Sequence, residues 1–139
     1  MGDFWPGNVM IRVGGEGEVE RVYVIDWELC KPGLAGVEIG QFYAEVGFVR
    51  HFHPEYAAAA NAVLSAFSEA YEEAAKPEAS VLHTAAVHTG THYAVIGSRV
   101  EWGGREATRA VVAEGVRLIC GRAYPRSDTI AERGGWLVR

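Results

Sequence analysis

Three oxygen-bearing side chains stand where their types and spacing could do chemistry. Asp3 opens the run Asp3-Phe4-Trp5-Pro6-Gly7-Asn8, so Asn8 follows it by five residues. Asp26 closes Val24-Ile25-Asp26, with Trp27 and Glu28 directly after it. Two carboxylates and an amide oxygen suit Mg²⁺, which keeps several waters and takes one or two protein carboxylates besides substrate phosphates. A carboxylate of the set that does not bind metal can orient an attacking hydroxyl and accept its proton. The chemistry open to such a set is phosphoryl transfer. Taken singly, each residue has a plainer reading, because Asp or Asn beside Pro and Gly is most often a turn former or a cap. The cluster has meaning only if the fold gathers all three.

The elements that would gather them are legible. Val9-Met10-Ile11-Arg12-Val13 is a short run rich in β-branched residues, Gly14-Gly15-Glu16-Gly17 follows as a turn, and Val19 to Ile25 resumes the strand pattern. This is a β-hairpin. Antiparallel pairing would set Asn8, entering the first strand, beside Asp26, leaving the second. Asp3 reaches the same place across a loop bent by Pro6 and Gly7. The glycine cluster lacks the Lys-Ser/Thr of a phosphate-binding loop and runs into a strand rather than a helix, so it reads as a hairpin turn.

Lys31-Pro32-Gly33-Leu34-Ala35-Gly36 is a loop. From about Val37 to Phe52, Ile39, Phe42, Tyr43, Val46 and Val49 recur at spacings of three and four, which predicts an amphipathic helix. Pro54 suits the first turn of a second helix, with Tyr56, Ala60, Val63, Phe67 and Tyr71 on one face and Lys76-Pro77 at its end. A third runs from about Glu78 toward Val95, with Gly90 as a weak point. A fourth, from about Arg105 to Cys120, sets Ala107, Val111, Val112, Val116, Ile119 and Cys120 on one side. In the tail, Ser127-Asp128 could cap one short turn and Gly134-Gly135 would end it. The expected fold is α+β, mostly α: a hairpin followed by about four helices, in a single domain over residues 1–139 with no repeat or linker.

Bulk properties narrow the partners. With 22% charged residues and a net charge of −5, the chain has no basic cluster to neutralise nucleic-acid phosphates. No apolar stretch is long enough for a membrane span, and the first residues carry no secretory signal pattern. Cys30 and Cys120 are far apart and read as free thiols of a reducing compartment, Cys30 as a buried one. A cytoplasmic location is the expectation by default.

Gly2-Asp3-Phe4-Trp5-Pro6-Gly7-Asn8-Val9, followed by Val24-Ile25-Asp26-Trp27-Glu28, resembles the paired signature of the aminoglycoside phosphotransferase and choline-kinase-like family. Members read His-Gly-Asp with Asn five residues after the Asp, then Ile-Asp-Trp or Ile-Asp-Phe. Protein kinases follow the same logic of Asp, Asn, hairpin and metal-binding Asp. The resemblance implies the C-terminal lobe of a protein-kinase-like fold. It also implies transfer of the ATP γ-phosphoryl group to a hydroxyl of a small molecule, with Mg²⁺ and ATP as cofactors. By it, Asp3 is the catalytic base, Asn8 and Asp26 hold the metal, and Glu28 supports the site. The motifs cover about the first forty residues; the helical remainder agrees only in character.

Three departures matter. Met1 stands where the family has His, which suggests an artificial start. The N-terminal lobe, with its phosphate-binding Lys, is missing, so the chain is expected to be a fragment with little activity alone. Glu38 occupies a position where the family has an Asp that braces the catalytic loop; Glu could do the same or simply favour a helix N-terminus. An alternative reading is a non-catalytic, kinase-like binding module, with self-association through the exposed lobe interface. Other candidates are weaker. His88 and His92 lie one helical turn apart, near His83, but no HExxH pattern accompanies them. His51 and His53 would sit at a helix end, compatible with its dipole. Glu45, Glu69, Glu72 and Glu73 read as solvated helix faces, or, by the resemblance, as acids for a cationic substrate of the kind the family often binds with these helices. Trp5 and Trp27 read as packing residues or an aromatic wall for a cationic substrate.

Overall fold

The computed structural model describes residues 1–100 and 102–121; the expectations at Ser127-Asp128 and Gly134-Gly135 lie outside them. The order is as expected for the α+β class. A single 3₁₀ turn, Pro6–Asn8, leads into β1 (Val9–Val13) and β2 (Val19–Val24). Four helices follow: α1 (Ala35–Phe52), α2 (Ala57–Ala75), which a 3₁₀ turn at Pro54–Tyr56 introduces, α3 (Ala79–Val95) and α4 (Gly104–Ile119). The strands pair antiparallel, Val9 opposite Val24 and Ile11 opposite Val22, with a register irregularity between Arg12 and Val13. Both faces of this ribbon are largely exposed, Ile11, Val19 and Val22 among them.

The core is built around α1. On one side, Ile39, Phe42, Tyr43 and Val46 pack with Ala60 and Leu64 of α2 and Ala85 of α3. Farther along, Ala44, Phe48 and Phe52 pack with Tyr93 of α3 and with Val111 and Leu118 of α4. Burying α1 on several sides explains why its apolar residues exceed a single stripe.

Two helix faces differ from the periodicity reading. On α2 the buried residues are Ala60, Leu64 and Ser68, while Tyr56 and Val63 are exposed and Phe67 and Tyr71 only partly buried. On α4 they are Val111, Gly115 and Leu118, whereas Val116, Ile119 and Cys120 face outward. On α4 the physical reason is close approach. A β-carbon on Gly90 would lie 2.6 Å from the carbonyl oxygen of Gly115, and one on Gly115 would lie 2.5 Å from that of Gly90. Gly90 is therefore a contact between α3 and α4 rather than a weak point. Among the described residues no helix is long and apolar enough to cross a membrane.

Candidate active site

The loop of Asp3 is held at both ends and in its middle. The Glu38 carboxylate, in the first turn of α1, accepts the backbone N–H of Gly2 at 2.6 Å through Oε1 and that of Phe4 at 3.1 Å through Oε2. The amino group of Met1 lies 3.5 Å from the same Oε1. Phe4 stacks on Phe42, ring centroids 5.1 Å apart, which anchors the loop in the core. Asn8, buried at the end of the 3₁₀ turn, donates through Nδ2 to the Asp3 carbonyl at 3.0 Å and to Asp3 Oδ2 at 3.3 Å. Gln41, one turn beyond Glu38 on α1, donates through Nε2 to Asp3 Oδ1 at 2.5 Å. Two neutral amides thus fix the Asp3 carboxylate, one on each oxygen. Glu38 thus sits in the first turn of α1 and against the loop at once.

The hairpin brings Asp26 to the same end. The Ile25 N–H donates to the Asn8 carbonyl at 3.0 Å, so Asp26 follows directly on the residue paired with Asn8. Asp26 takes a left-handed φ of 63°, a conformation for which Asp is among the better suited side-chain-bearing residues. The chain beyond it passes against the loop: Gly2 has φ 102°, and a β-carbon there would lie 2.9 Å from the Leu29 carbonyl carbon. Asp26 and Glu28 are exposed, and among the described residues neither makes a hydrogen bond or ion pair. Trp27 is exposed and donates through Nε1 to the Val24 carbonyl at 2.8 Å, closing the strand end. No three His, Cys, Asp or Glu side chains gather into a metal group among the described residues. Any cation here would meet a mixed carboxylate and amide set.

A pocket of about 380 Å³ opens beside the loop, lined by Trp5, Pro6, Glu45, Phe48, Val49, His53 and Trp102. Trp5 is thus a pocket-lining residue. Glu45 is not a solvated helix face: partly buried, it meets His92 of α3, Oε1 to Nε2, at 2.7 Å. His88 stands beside His92, and burial followed by the His92 charge pulls its pKa below the ordinary imidazole range, against Glu38. His51 joins Arg50 on Glu114 of α4, at 3.1 and 2.8 Å, rather than serving only the helix dipole. Burial pushes the Glu114 carboxyl up, but the His51 bond and the charges of Arg50, His51 and Arg117 outweigh it and hold it below the usual range. Cys30 and Cys120 are free, and both are exposed, which corrects the buried reading of Cys30; it lies past the turn after Asp26, outside the core.

Gln41 and the Glu45–His92 pair were missed by sequence reasoning. Glu38, Gln41 and Glu45 step by three and four along α1, and that spacing was the available signal.

A family model described as the phosphotransferase enzyme family matches residues 2–77. The chain is similar to a 4-hydroxytryptamine kinase of Psilocybe cubensis, 27% identical over 120 residues, and to one of Psilocybe cyanescens, 26% identical over 117. Each alignment covers 84% of this chain and 32% of the relative, so the chain spans about a third of the length of the curated relatives it matches. No solved structure matches it significantly. The relatives are kinases by name, and the family model takes in more than half of the 139 residues, from Gly2 through the loop, hairpin and α1 into α2. The chain belongs to the phosphotransferase enzyme family.

Proposed function

We propose that this chain, as one domain, carries the catalytic loop, the metal-holding residues and an acceptor pocket of an ATP-dependent small-molecule kinase. The supporting observation is the fixed Asp3 carboxylate, clamped by Asn8 and Gln41 at the end of a hairpin that also brings Asp26. Asp3 orients the acceptor hydroxyl and takes its proton as the oxygen attacks the γ-phosphorus. The amides on its two oxygens restrict its rotamer, so the acceptor finds a preset partner. Asn8 spends its amide nitrogen on Asp3, which leaves its Oδ1 as an acceptor. That oxygen and the Asp26 carboxylate are hard donors, and they fit Mg²⁺. When bound, the metal would neutralise charge on the nucleotide phosphates. Glu38 holds the loop on α1; Glu28, in the turn beyond Asp26, is a supporting carboxylate.

The chain spans about a third of the relatives' length, and we assign slow turnover to these residues by themselves, with the phosphate clamp in sequence corresponding to the rest of the relatives. The exposed apolar side chains of the hairpin and the loop after it, such as Val22, Trp27 and Leu34, form a surface through which the chain self-associates. The test is ³²P transfer from labelled ATP to a panel of hydroxyl acceptors, with 4-hydroxytryptamine among them because the relatives' names point to it. Slow, Mg²⁺-dependent transfer that Asp3→Asn abolishes is expected. Robust turnover unaffected by Asp3→Asn overturns the reading.

A further inference from the structure

We propose that Gln41 reads the acceptor as well as holding the base: its carbonyl oxygen takes a second donor beside the attacking hydroxyl, so the site favours a vicinal diol. This rests on Asp3 being the base. Gln41, on α1, spends its Nε2 on Asp3 Oδ1 at 2.5 Å. A side-chain amide carries its donor and its acceptor on one carbon, so fixing Nε2 also fixes Oε1 beside the carboxylate. Among the described residues no hydrogen bond reaches that oxygen. Nor is it sealed off, because the one buried side-chain oxygen without a partner among those residues is Oδ1 of Asn61 on α2. Gln41 Oε1 is therefore an acceptor that solvent reaches, next to the base.

Its neighbours do not compete for this part. One turn before it on α1, Glu38 has both oxygens on the loop amides, and one turn after it Glu45 meets His92. Asn8 serves the other oxygen of Asp3, at 3.3 Å, and its own Oδ1 is the one assigned to the metal. Gln41 is thus the neutral acceptor left on the Oδ1 side of the base. A carboxylate in its place would set a like charge against Asp3 and drive one of the two to keep a proton. An amide supplies the acceptor without that charge. A diol matches the arrangement, since one hydroxyl meets Asp3 while the hydroxyl on the adjacent carbon donates to Gln41. A lone hydroxyl leaves Oε1 to water. An ether in place of the second hydroxyl brings oxygen against oxygen, with no proton between them.

The probes are phenol, catechol and guaiacol, uncharged rings that differ only beside the hydroxyl: a hydrogen, a second donor, and an oxygen with no proton to give. Binding is followed by NMR titration of the ¹⁵N-labelled chain without metal or ATP, read at the side-chain amide of Gln41. Catechol should saturate about threefold to tenfold more tightly than phenol, the effect of one neutral hydrogen bond, and guaiacol no more tightly than phenol. Gln41→Met, similar in length but with neither donor nor acceptor, should bring catechol down to phenol. Gln41→Lys keeps a donor for Asp3 and offers no acceptor, so it should lose the preference as well, which separates recognition from loss of the clamp. Equal affinities in the wild type, no saturable binding of catechol, a gain for guaiacol equal to that for catechol, or a preference intact in Gln41→Lys would overturn the proposal. Because binding is read without nucleotide, the two readings fail separately. Absence of the diol preference leaves Asp3 as the base, whereas phosphoryl transfer that ignores Asp3→Asn removes the reading beneath it.

Discussion

Replacing Glu38 with alanine removes the two acceptors that tie the loop of Asp3 to α1. Hydrogen bonds to a charged partner contribute about 1.5–3 kcal/mol each, and the low end applies because the Glu38 side chain is 27% exposed and water can replace part of the loss. The two bonds together are then worth about 3 kcal/mol. For 139 residues the whole fold has about 7–20 kcal/mol of stability, so the loop can open without global unfolding. Phe4, stacked on Phe42 and 6.1 Å from Phe67, keeps the segment near the core. The assay is amide hydrogen exchange by NMR, read at Phe4. About 3 kcal/mol corresponds to roughly a hundredfold faster exchange at Phe4, with helix amides in α3 little changed. Glu38→Gln keeps the shape and an uncharged acceptor, so it should fall between, at about tenfold. If Phe4 exchanges within about threefold of wild type in Glu38→Ala, the loop is held by packing alone and the account of Glu38 fails.

Further outcomes follow from the same geometry. Gln41→Ala should lower phosphoryl transfer about tenfold, with far-UV circular dichroism unchanged, because Asp3 loses one of its two restraining donors. Gly115→Ala should destabilise by about 1–3 kcal/mol, seen as a lower thermal midpoint, since the Gly90 carbonyl is backbone and cannot step aside. The His88 pKa is depressed in the fold, so the unfolded chain takes up its proton first; urea melts should show stability present above about pH 6.5 and lost as pH falls below it, and His88→Gln should flatten that limb. Glu114 is likewise depressed, so its contribution is present above the unfolded carboxylate value of about 4.3 and lost as pH falls through its folded value; Glu114→Gln should remove that second acid limb in the same melts.

The hairpin was legible because its turn is built from glycines and its strands from β-branched residues, both local signals. α1 was legible because large apolar residues recur at helical spacing over its whole length. α2 and α4 were legible as helices but not as surfaces. Periodicity weights large side chains, whereas Ser68 and Gly115 are buried where Val63 and Val116 are not. Within the site, Asp3, Asn8 and Asp26 stood out through spacing and the hairpin's open end. Glu38 had two readings because its bonds to Gly2 and Phe4 span 36 and 34 residues of sequence. Gln41 on Asp3 and His92 on Glu45 are separated by 38 and 47 residues, and only the packing of α1 on the loop and on α3 reveals them. Cys30 was misread because composition alone favours burial of a free thiol, while a loop past a strand end leaves it in water.

The central claim is that Asn8 and Asp26 hold a nucleotide-bound divalent cation within reach of Asp3. Paramagnetic Mn²⁺ in place of Mg²⁺, added with ATP to the ¹⁵N-labelled chain, tests it without requiring turnover. The account predicts that the side-chain amide of Asn8 and the backbone amides of Asp3 and Asp26 broaden first, and that Asp26→Ala removes the effect. Strongest broadening around Glu45 and His92, or broadening at Asn8 that survives Asp26→Ala, would contradict it.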